Sequence, residues 1–563
     1  MVTRKPYGFG LLGLAAASIL AAFAMPAAAQ TPPSALTGKV TSEAEGAMEG
    51  VVVSAKRADS PITISVVTDA QGQYRFPQGR LEPGTYALTI RAIGYDLSGP
   101  ASVDVAGQTP AQLDLTLKKT ARLSAQLSDT EWLMSMPGTP KEKEEFGGGC
   151  VNCHTLERPV FSRYDPNDMA KVVQRMRTHT NNSSPDHPFV FQSAAATMSK
   201  PPSKAETDLG AYISTINLSS ADTWTYALKT LPRPKGKATQ VIYTSYDLPR
   251  ADAAPHDTAM DAQGNIWYSD FQSPVLGKLD PKTGKVSEYP IPIQRPVDKG
   301  FPTGGLQLAL DKDGNVYEAT MGQEQVVRFN PKTEKMDTWP SPDSNIGDSH
   351  VTMVDPRFAT EDGKIWANEA GVKPGNTVFQ LDLKTGQWTR VVVPEGDPPA
   401  YAYGIMADSH NNAYGMGMGN DSIWRVDANT LKITYYPIPT KGAGGRRGHI
   451  DSQDRLWWAE FRGNGLAMFD PNTQKITEWK VPTPYSFPYD AEFDGKTYLW
   501  SGGMDSDLIE RVDTNTGEFT EYLLPQETNI RHVEVEKSSA GLSSLWIGNQ
   551  HSGKIIHVEP LAP

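Results

Sequence analysis

Asp261-Ala262-Gln263-Gly264-Asn265-Ile266-Trp267 is the stretch on which the fold turns. A polar turn carrying Gly and Asn runs directly into a hydrophobic–aromatic pair, the pattern of a tight turn feeding a strand. The pair recurs as Val316-Tyr317, Ile365-Trp366, Ala413-Tyr414, Leu456-Trp457, Leu499-Trp500 and Leu545-Trp546. A second mark, a turn of the type Asp-Pro-x-Thr, follows in the first six copies, as in Asp280-Pro281-Lys282-Thr283 and Asp470-Pro471-Asn472-Thr473. Repeats of this length, each with about four short strands, are the signature of a β-propeller. Six copies end in an outer strand such as Ser287-Glu288-Tyr289-Pro290, and the seventh lacks one. The missing strand is available ahead of the first copy, at 241–249, so a seven-bladed propeller closed by that strand is expected over 238–563. Asp311-Lys312-Asp313-Gly314-Asn315 faintly resembles a calcium loop. It occupies the same place as the turn at Asp261 and reads as a hairpin turn.

The chain has 563 residues, 38% of them hydrophobic and 21% charged, with 49 Gly and 44 Pro. That excludes collagen, coiled coil and wholesale disorder, and points to a multidomain, mainly β protein. The net charge is −12, with no long basic run, which argues against nucleic acid as a partner. At the N-terminus, Arg4 and Lys5 precede an apolar stretch from Leu11 to Met25 and the small residues Ala27-Ala28-Ala29. This is the layout of a cleaved signal peptide over 1–29. Its apolar part spans ~22 Å at ~1.5 Å per residue, short of a ~30 Å hydrocarbon core. The expected destination is the periplasm or the outside of the cell, without an integral membrane anchor after cleavage.

Residues 35–119 alternate short β-branched strands with Gly turns, which predicts a β-sandwich. The opening Gly38-Lys39-Val40, the turn Thr68-Asp69-Ala70-Gln71-Gly72-Gln73-Tyr74-Arg75-Phe76, and Gly84-Thr85-Tyr86 before Gly94-Tyr95 resemble the carboxypeptidase regulatory-like domain. The resemblance implies a non-catalytic module, a spacer or a carbohydrate-binding-like unit.

The only two cysteines fall in Cys150-Val151-Asn152-Cys153-His154. Two thiols one helical turn apart can add to the vinyl groups of haem, and the adjacent His can rise beneath the iron. A zinc site would need further cysteines, and a thioredoxin-type pair a βαβ setting. The expected cofactor is one covalent haem c, with His154 as an iron ligand. Helices are predicted around the motif. Ser128 opens one bearing Trp132, Leu133 and Met136. Asn167 or Asp168 opens a second bearing Met169, Val172, Val173 and Met176. Ser203 opens a third bearing Leu209, Tyr212, Ile213 and Ile216. Residues 124–220 thus resemble a small all-α class I cytochrome c domain. That resemblance implies packing of the first helix on the last and a Met as sixth ligand. Met198 stands in that place, with His179 as its rival and an open position as the third possibility.

Innermost strands of a propeller line its channel, so two repeat positions should converge there. The first comprises His256, Leu306, His350, Tyr403, Arg446, Tyr489 and Arg531, with His532 beside the last. The second comprises Asp270, Thr320, Glu369, Gly417, Glu460, Gly503 and Asn549. Convergent His, carboxylate and Arg can hold a divalent metal, move protons or bind an anion. The Pro-His-x-x-x-x-Asp-x-x-Gly-Asn-x-Trp opening and Leu456-Trp457-Trp458-Ala459-Glu460 resemble the virginiamycin B (streptogramin) lyase propellers. The resemblance implies an elimination with a His base and a magnesium ion. The family's His and Glu on one blade are matched only in part: His256 meets Asp270, His350 meets Glu369, and Glu460 meets Arg446, with His449 displaced nearby. Elimination moves no net electrons, so a haem fused to a propeller points instead to an exported electron-transfer protein. Its propeller would bind a substrate, a small-molecule or carbohydrate ligand, or a redox partner such as a periplasmic dehydrogenase. A magnesium-dependent lyase with His350 as base, and a carbohydrate- or protein-binding scaffold, are the alternatives.

Overall fold

The computed structural model describes Met1 and residues 33–562, apart from 100, 108, 181–182, 186, 192, 220, 297–302, 343–349, 371–376, 394–400 and 540. The expected signal segment therefore falls, beyond Met1, outside the described residues.

Alternation builds the N-terminal sandwich. In Gln73–Pro77, Tyr74 and Phe76 are buried while Gln73 and Arg75 are exposed, the period-2 pattern of a half-buried strand. One sheet centres on Ser34–Ser42, which pairs with Gln73–Pro77 and Leu115–Lys119. The other runs in the order Ile62–Val67, Val52–Arg57, Gly84–Arg91, Ala101–Val105. Leu36, Val53, Val66, Phe76, Leu88 and Leu115 fill the space between them.

The repeat region folds into antiparallel four-stranded sheets. Blade one pairs Pro255–Met260, Ile266–Asp270, Val275–Asp280 and Lys285–Pro290 in sequence order, and the next five copies repeat that order. The turn at Asp311 is a hairpin turn: its carboxylate accepts the amides of Asp313 and Asn315, and Gly314 takes φ +81°. The last copy supplies only Glu534–Glu536, Ser544–Asn549 and Lys554–Pro560, and Val241–Asp247 joins it as the outer strand. Innermost strands touch their neighbours in cyclic order, and the inner strand of blade one also packs on blade seven. The result is a closed seven-bladed propeller.

Val241–Asp247 has a second partner that the sequence did not announce. Its other edge pairs with Ile62–Val67 of the sandwich, from Ile242 opposite Val66 to Tyr246 opposite Ile62. Blade seven and one sandwich layer thus form a single eight-stranded sheet. Asp247 binds Lys56 of the sandwich and Lys554 of the blade. An outer edge that would otherwise be exposed is covered.

Among the described residues, six α-helices lie between sandwich and propeller: α1 Asp129–Ser135, α2 Pro140–Cys150, α3 Glu157–Val160, α4 Pro166–Met176, α5 Ala194–Met198 and α6 Lys204–Ile216. Ser128 and Ser203 form capping boxes at α1 and α6, as their sequences predict. One expectation needs correction, and one helix was not expected. Asp165, not Asn167 or Asp168, caps α4, accepting both of their amides with Pro166 at the first helical position. The unexpected helix is α2, opened by the capping box Thr139/Glu142 and ending on Cys150, the first residue of the cysteine motif. Its Phe146 meets Tyr212 of α6 edge to face at 6.2 Å. The helices share one apolar core with the propeller mouth, in which Leu133, Phe146 and Val151 join Phe461, Phe487 and Met504.

Tyr243 is fully buried in the shared strand, in a cluster with Val52 of the sandwich and Trp500 of blade six. Tyr243→Ala is expected to cost about 3 kcal/mol. In urea unfolding followed by circular dichroism and tryptophan fluorescence, both transitions should shift together, because the strand belongs to both units.

Candidate functional site

Inner strands run from the mouth of the propeller into its channel. In blades one, three, four, five and six, each carries a β-bulge near its start, as between Pro255 and Thr258, Gly445 and Gly448, and Pro488 and Ala491. A bulge adds one unpaired residue and breaks the alternation of faces. Two successive side chains therefore reach the axis from one strand: His256 with Asp257, Arg446 with Arg447, and Tyr489 with Asp490. They form two layers.

The upper layer is aromatic and cationic. The Tyr403 and Tyr489 hydroxyls lie 2.7 Å apart, and the Arg446 guanidinium sits 3.8 Å from the Tyr489 ring centre and 4.2 Å from that of Phe461. His256 packs on Phe271 at 4.6 Å. Its Nδ1 donates to Asp257 at 2.6 Å, while its buried Nε2 has no hydrogen-bond partner. Burial pushes His256 down to about 4, against the pull of Asp257.

The lower layer is ionic. Arg447 grips Asp257 with both terminal nitrogens at 2.7 and 2.5 Å, across the channel from blade five to blade one. Burial alone would raise Asp257, but Arg447 and His532 hold it well below the usual carboxylate range. Asp490 accepts from Val533 N and lies 3.2 Å from His449 Nε2. Burial would lower His449, yet Asp490 and Glu492 outweigh it and push it up to about 9. Asp257, Arg447 and Asp490 escape a count of equivalent repeat positions, because each follows a counted residue. The available signal was an ionisable or tyrosine residue followed at once by a charged one.

The second repeat position does not converge in this way. Asp270 is bound by Arg250 and accepts the amides of Gln272 and Ser273. Glu460 stands beside Glu478, and burial pushes it up to about 8. Glu369 is buried in the second strand of blade three, and Asn549 ties loops through Asn529 N and Glu527 O. His350 opens the inner strand of blade three opposite Ala370, and its side chain lies outside the described residues.

The cysteine motif lies on the mouth itself. Gly147 and Gly148 at the end of α2 let the helix sit on aromatic rings. A Cβ at Gly147 would stand 2.7 Å from Leu133 and 3.2 Å from Phe487. Asn529 Nδ2 donates to Val151 O at 3.2 Å, and buried Arg531 donates Nη2 to Asn152 O at 2.7 Å and Nε to Asn529 Oδ1 at 2.8 Å. Asp129 accepts Leu156 N at 2.7 Å and holds the loop beyond the motif. Both cysteines are free, and burial pushes Cys150 up to about 12 and Cys153 upward. These are not the acidic thiols of a reactive dithiol. His154 Nδ1 lies 2.9 Å from Thr155 O. A carbonyl only accepts, so Nδ1 carries the proton and Nε2 keeps its lone pair, as a metal ligand requires. His551 of the propeller lies within electrostatic reach of His154, its buried Nε2 without a hydrogen-bond partner.

Met198 ends the short helix α5 and is 41% exposed. His179 is bonded through Nδ1 to Arg175 O at 2.9 Å. Phe161, Tyr164, Met176, Val190 and Met198 are half of the large apolar side chains left exposed among the described residues.

The carboxypeptidase regulatory-like domain model matches residues 35–118. No curated protein matches the chain. Among solved structures, a virginiamycin B lyase from Staphylococcus aureus is similar at 21% identity and a TM-score of 0.49, covering 57% of this chain and 100% of that one. A streptogramin B lyase is similar at 20% identity and 0.49, covering 58% and 99%. A calcium-binding regucalcin from Agrobacterium tumefaciens is similar at 15% and 0.34, covering 45% and 82%. The propeller assignment rests on the strand order given above.

Arg531→Met keeps the bulk and removes the latch on the motif, including one charge-assisted hydrogen bond of about 1.5–3 kcal/mol. Amides of 150–155 should then exchange with deuterium at least tenfold faster, while those of the blade strands keep their rates.

Proposed function

We propose that the chain is an exported mono-haem c-type cytochrome whose haem-bearing segment closes the mouth of a seven-bladed propeller. The observation that carries this reading is the state of the motif. Two free thiols stand three residues apart, Cys150 at the end of α2 and Cys153 in the turn beyond it, and the following His154 keeps its Nε2 lone pair. The packing of Phe146 on Tyr212 supports a cytochrome c-like unit over 124–220, as does the concentration of exposed apolar side chains between Phe161 and Met198, where a porphyrin would find cover. A haem bound there would supply one-electron transfer. Cys150 and Cys153 would hold it covalently and His154 would ligate its iron, with Met198 or His179 as candidates for the sixth position. Arg531 and Asn529 would position the attachment segment over the channel. The propeller would then receive the electron donor or acceptor, such as a periplasmic dehydrogenase or a small-molecule or carbohydrate substrate.

The lyase reading draws less support. Asp270 is engaged by Arg250 and cannot serve His256. The mouth where a cyclic substrate would have to enter is covered by α2 and the motif. Among the described residues, Glu369 and Glu460, the expected metal ligands of that reading, belong to no group of His, Cys, Asp and Glu side chains close enough to share a magnesium ion.

Expression in a host with active cytochrome c maturation tests this reading. Haem should stay on the chain through a denaturing gel, and Cys150→Ala/Cys153→Ala should abolish it. His154→Ala should retain covalent haem but lose the narrow bands of the reduced low-spin form. Colourless wild-type protein from such a host would overturn the proposal.

A further inference from the structure

The motif covers one end of the channel, and the opposite end is open. There a cavity of about 350 Å³ is lined by His449, His532, Gln307, Arg357 and Glu534, among others. Among the described residues, one group of His, Cys, Asp and Glu side chains is close enough to share a metal ion: His449 of blade five, Asp490 of blade six and His532 of blade seven. Their donor atoms all lie within 4.8 Å of one another. Blade geometry brings them together from three separate repeats.

We propose that His449, Asp490 and His532 form a binding site for a divalent first-row transition-metal ion at the open end of the channel. The distances carry the argument. His449 Nε2 and His532 Nε2 stand 3.2 and 3.7 Å from Asp490 Oδ2. The second is too long for a hydrogen bond. Ligand bonds of about 2.0–2.1 Å in tetrahedral arrangement set donor atoms about 3.3 Å apart, so both separations suit neighbours around one ion. Two imidazoles and a carboxylate are a ligand set for zinc or iron(II), and they leave coordination positions for water or substrate on the cavity side. Asp490 is held by Val533 N and Ala491 N, which orient its carboxylate. Arg447 gives both terminal nitrogens to Asp257 and reaches Asp490 through charge alone, so the Asp490 oxygens are not taken up by guanidinium hydrogen bonds. Glu534 borders the same cavity, and Glu492 nearby is paired with Lys537. Thr258 N–H donates a long hydrogen bond to His532 Nδ1 at 3.4 Å, which places the imidazole proton on Nε2; loading an ion through Nε2 moves that proton to Nδ1 and gives up this one contact.

Zinc is the probe. Full-length, haem-loaded protein is stripped with chelator, dialysed against zinc chloride and assayed by elemental analysis. One zinc per chain is expected in addition to iron, with at least 100-fold weaker binding in His449→Gln, His532→Gln and Asp490→Asn. His557→Gln, remote from the cluster, should bind as wild type. Zinc-edge absorption spectroscopy on the wild type covers the case of a variant that fails to fold. Two imidazoles with oxygen ligands near 2.0–2.1 Å and no sulfur are expected. Absence of stoichiometric zinc, wild-type affinity in the variants, or a sulfur shell would overturn the site. Sulfur ligation would place zinc on Cys150 and Cys153 and would show that haem is missing, a separate failure.

Discussion

The strand Val241–Asp247 is the constraint on which the molecule depends. One edge completes blade seven and closes the ring, and the other extends a sheet of the sandwich. A ring of blades is stable only when closed, because an unpaired inner or outer strand exposes backbone groups that need partners. Here closure and the docking of the sandwich are one event. The chain leaves the sandwich at Lys119 and re-enters the shared sheet at Val241, so the helical stretch between these points must fold back over the neighbouring surface. That surface is the propeller mouth. Trp224 follows α6 on this return path and packs against Trp132 at 4.8 Å and Phe161 at 5.2 Å. Arg233 then reaches Glu49 O of the sandwich.

Two kinds of contact hold the helices there. Apolar burial joins Leu133, Phe146 and Val151 to Phe461, Phe487 and Met504 in one continuous core. Directed hydrogen bonds from Arg531 and Asn529 to the carbonyls of Asn152 and Val151 fix the register of the motif. Below that lid the channel changes character. Tyrosines and Arg446 give way to buried ions, which persist because Asp257 has Arg447 and Asp490 has His449. A buried charge without such a partner costs about 3–5 kcal/mol. The channel thus has one end covered by the motif and one open end, where His449, Asp490 and His532 meet.

Much of the fold was legible in the chain. The aromatic marks from Trp267 to Trp546 counted the blades, because each mark sits in the second strand of a unit that cannot bury its faces alone. The need for an outer strand in the last copy pointed to Val241, since edges must be paired. Capping boxes at Ser128 and Ser203 placed two helices, because those side chains satisfy amides within their own first turn. Less of the site was legible. Counting equivalent positions found His256, Arg446, Tyr489, Arg531 and His532, but missed Asp257, Arg447 and Asp490. It also credited Asp270 and Glu460 with a shared centre that their loop and outer-strand neighbours, Arg250 and Glu478, draw them away from.

Local patterns alone determined the sandwich, the helices that carry their own caps, the repeat and the pentapeptide Cys150–His154, because each is written in residues adjacent in the chain. Tertiary structure alone decided that α2 sets the motif on the propeller mouth and that the closing strand is shared with the sandwich. It also brought His449, Asp490 and His532 together. The physical reason is the same in each case. Bulges aim two successive side chains at one axis, and ring closure brings distant blades within bonding distance, and neither leaves a periodic mark in the sequence.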